Sequence, residues 1–202
     1  MPDTVESGNT SSDTGAPARA KGIFLRLMQE SDVTERYLTW FRDDEVTKYL
    51  ESKHITAEEA LEFLRWGKRT QRRFIYAICL EENGLHIGNV KIGDIQRRSM
   101  LSDLVTVIGD RDWWGKGIAA TAIRLGTEIA FSTYGIRKLN GGIESGNIGS
   151  LKAYLRAGWV QEAVLHAQYG DGDGLHDRLV VSCFNPRFHP DLPKFPLPLF
   201  AV

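Results

Sequence analysis

The run Ile108-Gly109-Asp110-Arg111-Asp112-Trp113-Trp114-Gly115-Lys116-Gly117-Ile118-Ala119-Ala120 limits the folds open to this chain more than any other stretch. An apolar strand pattern, Leu104 to Ile108, enters it, and a helical pattern, Ile118 to Phe131, leaves it. Between them two glycines flank a lysine. The chain therefore turns sharply and presents unpaired backbone N–H groups at the positive end of a helix. A strand that feeds directly into a helix calls for a sheet with helices on its faces, and the turn is a ready site for phosphate.

Reading outward from that turn, hydrophobic periodicity gives alternating elements. Ile23 to Leu27 reads as a strand, and Ser31 or Asp32 caps a helix with Val33, Tyr37, Trp40 and Phe41 on one face. A short helix follows near Glu45 to Tyr49. Thr56 and Glu59 form a capping box for a longer one, striped by Ala60, Phe63 and Leu64. Phe74 to Leu80 is a strand, and Asn83-Gly84 is the hairpin turn into Leu85 to Ile95. Beyond the helix from Ile118 come a strand at Lys138 to Ile143, a helix at Ile148 to Arg156, and strands at Trp159 to Tyr169 and His176 to Cys183. This order predicts an α/β (α+β) fold: a mixed, largely antiparallel central sheet of about 6–7 strands flanked by helices.

One domain, residues 22–184, holds these elements. Residues 1–21 are rich in Ser, Thr, Gly, Asp and Ala, which predicts a flexible arm. Residues 185–202 hold five of the seven prolines among Phe188, Leu192, Phe195, Leu197, Leu199 and Phe200. Such a tail is irregular yet too apolar to stay in water, so it is expected to lie on the domain or on a second subunit, in a monomer or a homodimer. The net charge of -1 gives no reason to expect nucleic acid or an anionic membrane as partner. No apolar run approaches the roughly 18 to 20 residues that span a bilayer, and residues 1–20 lack the apolar stretch of a signal peptide, so a cytoplasmic location is expected. Cys79 and Cys183, in apolar strand-like runs, are expected as buried free thiols. The histidines are dispersed, and the glycine-rich run at 170–174 lacks the remainder of a calcium loop, so no metal is expected.

The phosphate turn fits neither of two common nucleotide motifs. A Walker loop needs a hydroxyl after the lysine, where this chain has Gly117, and the glycine spacing differs. A dinucleotide fingerprint needs G-x-G-x-x-G in an early parallel unit, but Ala120 stands at the third glycine position behind antiparallel-looking strands. A second constellation lies downstream: Asn147-Ile148-Gly149-Ser150-Leu151-Lys152-Ala153-Tyr154-Leu155-Arg156-Ala157-Gly158-Trp159. On a helix Asn147, Ser150 and Tyr154 share a face, Leu151 and Leu155 adjoin it, and Gly158 ends it.

With both constellations, residues 22–184 resemble the GNAT superfamily of N-acetyltransferases. Trp114-Gly115-Lys116-Gly117-Ile118-Ala119 matches the last two fixed positions of its [RQ]-x-x-G-x-[GA] motif, with Trp114 in place of Arg or Gln. That form is typical of the branch that acetylates ribosomal-protein N-termini and of related small-molecule enzymes. The helix is similar to that branch's Asn-x-x-Ser-x-x-x-Tyr-x-x-x-Gly-Phe, with Trp159 for Phe. The resemblance implies acetyl-CoA as co-substrate. Its pyrophosphate would sit on the N–H groups of Gly115, Gly117, Ile118 and Ala119 beside Lys116, and its pantetheine amides on backbone groups of Val107 and Gly109. Ile108, Trp114, Asn147 and Ser150 belong to the same set. The resemblance also implies direct attack by a primary amine in a ternary complex. Tyr154 would protonate the departing thiolate or pack against the cofactor. Asp103 would take the amine proton, directly or through water, or else be a surface or salt-bridged carboxylate.

The acceptor is less defined. His86-Ile87-Gly88-Asn89-Val90-Lys91 with Asp44-Glu45-Val46-Thr47-Lys48-Tyr49-Leu50 resembles acetyltransferases of nucleotide-sugar pathways, which implies a small amine, such as a nucleotide-linked amino sugar, with Tyr76 and Lys91 lining the acceptor cleft. Arg97 and Arg98 are either diphosphate contacts or a solvated turn. The alternatives are N-terminal acetylation of a ribosomal or other protein, and a silent acyl-CoA-binding sensor.

Overall fold

Alternating apolar side chains in Ile23–Leu27 (β2) and His86–Ile92 (β4), and a continuous apolar run in Phe74–Leu80 (β3) between them in the sheet, build three antiparallel neighbours, with Asn83 Oδ1 accepting the Leu85 N–H in the turn between β3 and β4. In this computed structural model, which describes residues 18–20, 22–172 and 174–189, the sheet has eight strands in the order β1-β2-β3-β4-β5-β6-β8-β7. The remaining strands are Ala18–Ala20 (β1), Leu101–Ile108 (β5), Lys138–Glu144 (β6), Val160–Asp171 (β7) and Gly174–Phe184 (β8). Ala18–Ala20 falls inside the expected arm but pairs with β2. The rest of that arm and residues 190–202 of the expected tail lie outside the described residues.

Every pairing is antiparallel except that of β5 with β6. On one face lie Ile118–Ser132 (α4) and Ile148–Arg156 (α5), which close the larger core over Ile78, Val90, Leu104, Leu139 and Val181. On the other lie Glu35–Trp40 (α1), Asp44–Thr47 (α2) and Ala57–Thr70 (α3), around a smaller core of Met28, Tyr37, Leu38, Trp40, Val46 and Ala60. Gly126 lets α4 sit close, since a Cβ there would stand 2.7 Å from Val90 Cγ1.

The Thr56–Glu59 capping box forms as expected. The cap of α1 does not: Asp32 already binds the Arg26 guanidinium at 2.6 and 2.7 Å and the Gln29 N–H at 2.7 Å, so residues 30–32 make a 3-10 turn and Thr34 caps the helix. Both cysteines are free; Cys79 is buried and Cys183 half-buried.

Candidate functional site

The sheet forks between β5 and β6. These strands pair only from Leu101 to Asp103 against Lys138 to Asn140, and beyond that point β5 keeps β4 while β6 keeps β8. Tyr154 of α5 fills the crotch. Its hydroxyl donates to the Leu104 carbonyl at 2.7 Å, and a Cβ on Gly141 of β6 would lie 3.5 Å from its ring. Trp159 packs edge-on against it at 4.9 Å and is itself held by Nε1–H donation to Thr127 Oγ1 at 3.0 Å. Burial foremost, then the charge of Asp103, raises the Tyr154 phenol above its ordinary value, with the neighbouring Thr106 hydroxyl opposing. It therefore stays protonated at neutral pH.

The register decides which backbone groups line the opening. Gly93 N–H donates to Asp103 O at 3.0 Å and Gly109 N–H to Ile87 O at 3.0 Å, at opposite ends of the β4–β5 ladder. Antiparallel alternation then turns the odd-numbered β5 residues toward β4 and the even-numbered ones toward the fork. The expectation that backbone groups of Val107 and Gly109 serve a ligand is thus corrected: Gly109 N–H is spent on β4, and the Val107 side chain packs into the smaller core. The open edge belongs to Thr106 and to the N–H of Ile108. The Ile108 carbonyl accepts Trp114 Nε1–H at 2.8 Å, which fixes the turn to the strand. Gly109 is a glycine for another reason: a Cβ there would stand 2.0 Å from Trp40 Cδ2.

At the start of α4 the sequence leaves an uncapped helix end. Gly115 and Gly117 have φ of 73° and 79°, and a Cβ on either would meet nothing within 4 Å. Gly117 supplies no side-chain cap and the first turn carries no acid. Among the described residues, no backbone N–H from Gly115 through Ala120 has an acceptor. Lys116 lies 4.6 Å over the Trp113 ring, and Arg36 holds Asp110 at 2.7 Å. Exposed donors, a helix dipole and a lysine together favour an anion.

Asn147 caps α5 by accepting the Ser150 N–H at 3.1 Å. It stands at the N-cap rather than on the helix face, and its amide NH2 and the Ser150 hydroxyl carry no acceptor among the described residues.

On the face opposite Tyr154, Lys91 of β4 and Asp103 of β5 come together. Desolvation raises the Asp103 carboxyl, opposed by the positive charges of Lys91 and Arg178, although the side chain reaches solvent. Desolvation also lowers the Lys91 ammonium. Tyr76 is corrected out of this group: it is buried, its hydroxyl lies 2.6 Å from that of Tyr134, and it belongs to the α4-side core. Arg97 donates to the Gln71 carbonyl at 3.0 Å, in the turn before β5 and at the end away from the fork. Sequence reading missed Thr106, because strand parity needs the partner register. It also missed Arg178, whose one signal was a basic residue directly ahead of the apolar Leu179-Val180-Val181 run.

A model of the acetyltransferase (GNAT) domain matches residues 23–160. A probable N-acetyltransferase, YjcK of Bacillus subtilis (strain 168), is 25% identical over 164 residues, covering 80% of this chain and 87% of that protein. The spermidine N-acetyltransferase of Vibrio cholerae, solved with CoA and spermine, superposes with a TM-score of 0.74 at 15% identity, over 83% of this chain and 98% of that one. The ribosomal-protein-S5-alanine acetyltransferase of Vibrio fischeri gives 0.70 at 16% identity, over 85% and 97%.

Proposed function

The chain belongs to the acetyltransferase (GNAT) domain family and is an N-acetyltransferase, and from that premise we propose that it acetylates the primary amine of a small molecule with acetyl-CoA as donor, a nucleotide-linked amino sugar being the specific acceptor. The observation that carries the donor reading is the pairing of the free N–H groups at Gly115 through Ala120 with the open β5 edge at the fork. The open space over Gly115 and Gly117 and the unpaired donors fit a pyrophosphate.

Bound acetyl-CoA supplies a thioester carbonyl for an amine to attack and a thiolate as leaving group. Gly115, Gly117, Ile118 and Ala119 hold the pyrophosphate through their N–H groups, with Lys116 adding charge. Thr106 and Ile108 offer backbone groups, and Asn147 its amide, to the pantetheine amides. Tyr154, kept protonated by burial, holds a proton beside the fork for the thiolate. Asp103, its carboxyl raised by desolvation, is a stronger base than a solvated carboxylate and takes the ammonium proton, directly or through water.

A thiol-release assay with acetyl-CoA tests this over amino sugars free and nucleotide-linked, polyamines, amino acids and N-terminal peptides. Turnover of the nucleotide-linked amino sugars is expected. Activity confined to peptides would establish the N-terminal reading instead. Tight acetyl-CoA binding with no turnover would make the protein a sensor.

A further inference from the structure

Four arginines among the described residues are withdrawn from full exposure: Arg26, Arg73, Arg137 and Arg178. Arg26 is closed by Asp32, Arg73 by Asp94, and Arg137 by the Ser99 carbonyl. Arg178 makes no hydrogen bond or salt bridge among the described residues, and its Nε is buried without an acceptor. A guanidinium carries five donors and keeps its charge at any physiological pH, so leaving a half-buried one unanswered is costly unless a ligand completes it.

The position of Arg178 says which ligand. It starts on β8, opposite Glu144 of β6. Its guanidinium lies flat over Gly142, where a Cβ would stand 2.3 Å from Nε and 2.5 Å from Cζ. Gly142 lies on the β6 arm of the fork, two residues past the last residue paired with β5. The charge reaches Asp103, which also feels Lys91. Glu144 does not quench it: that carboxylate lies toward Gly146, and neither it nor Asp103 comes within salt-bridge distance of Arg178. Lys91 likewise has no ion pair among the described residues. Asp103 is thus flanked by two unpaired cations on the acceptor side of the fork.

We infer that Arg178 is a specificity-determining residue, binding an oxyanion (a carboxylate or a phosphate) that the acceptor carries a few bonds from its amine. The planar fork of a guanidinium matches both groups in bidentate fashion, and a polyamine would meet repulsion from the same charges. The inference rests on the acetyl-transfer reading above.

Kinetics on the full chain with matched acceptors test it: alanine against alaninamide, glucosamine against its 6-phosphate and a nucleotide-linked glucosamine, and spermidine. Wild type is expected to favour the anionic member of each pair by about tenfold or more in kcat/KM. The stronger of the carboxylate and phosphate pairs identifies the anion. Arg178→Met is expected to remove that preference, lowering kcat/KM for the anionic member of each pair far more than for its neutral partner and mainly through KM, while acetyl-CoA affinity stays within about twofold. Arg178→Lys restores part of it. Gly142→Ala displaces the guanidinium with its charge intact and is expected to weaken the preference the same way, which decides the matter should Arg178→Met fold poorly. CoA release without preference for the anionic members, or equal losses for both members in the variants, overturns the role of Arg178 alone. No CoA release from any amine overturns the acetyl-transfer reading and this inference with it.

Discussion

Tyr154 carries two burdens that mutation can separate. Its hydroxyl satisfies the Leu104 carbonyl, and in the proposed reaction the same proton goes to the departing thiolate. Tyr154→Phe is expected to lower kcat by about 10²-fold, with acetyl-CoA affinity unchanged in titration calorimetry. It should also cost about 1–2 kcal/mol in urea unfolding, because the carbonyl loses its buried partner. Unchanged turnover would remove the acid role. Asp103 behaves differently, since its carboxyl is raised and its ionisation works against folding at neutral pH. Asp103→Asn is therefore expected to leave thermal stability at pH 7 equal or higher while kcat/KM falls and loses its acidic limb. Gly109→Ala places a methyl group into the Trp40 ring and is expected to destabilise by about 1–3 kcal/mol or more in urea unfolding, with no change in the anion turn itself. At this scale the sequence displayed Tyr154, because a tyrosine within an Asn-to-Gly helix pattern is specific. It hid the reason for Gly109, which lies in a tryptophan far away in the chain.

Elements were easier to foresee than their neighbours. The bounds of α5 matched the reading, and α4 and β3 differed by a residue or none, because long periodic runs with glycine or capping residues at their ends leave little choice. The local geometry of the candidate site was legible where it rests on one continuous segment, as in the unpaired N–H groups at Gly115 through Ala119. It was illegible where two strands must be paired first. Val107 and Gly109 were placed on the wrong edge of β5, and Tyr76 on the wrong face of β3, since both assignments depend on register. The N-terminus of α4 gives a test at its own scale. Gly117→Ala must hold a φ of 79°, which costs about 1–2 kcal/mol, yet its methyl enters open space. The variant is expected to fold with a lowered melting temperature and a markedly weaker acetyl-CoA affinity, as read by calorimetry.

Across the whole molecule, acid stability follows from a few carboxylates. Burial acts to raise Asp32, but the hydrogen bonds from Arg26 and the Gln29 N–H prevail and hold it below its ordinary value. Glu162 is lowered in the same way, by Lys138 and Ser182 against burial. Their contribution is full above about pH 4 to 4.5, the values of the unfolded chain, and is lost as pH falls through the lower folded values. The melting temperature is therefore expected to drop below about pH 4, and Asp32→Asn to flatten that drop while lowering stability at pH 7. The fork sets a different property of the whole. Strands β1 to β5 and the trio β6, β8 and β7 share only a three-residue seam of direct ladder, so the sheet resembles a zipper stopped near its first teeth. An extended ligand laid along Thr106 and Ile108 would act as the missing tape and knit the two flaps together. Amide exchange is then expected to slow on both sides of the seam when acetyl-CoA is added, far beyond the residues it touches.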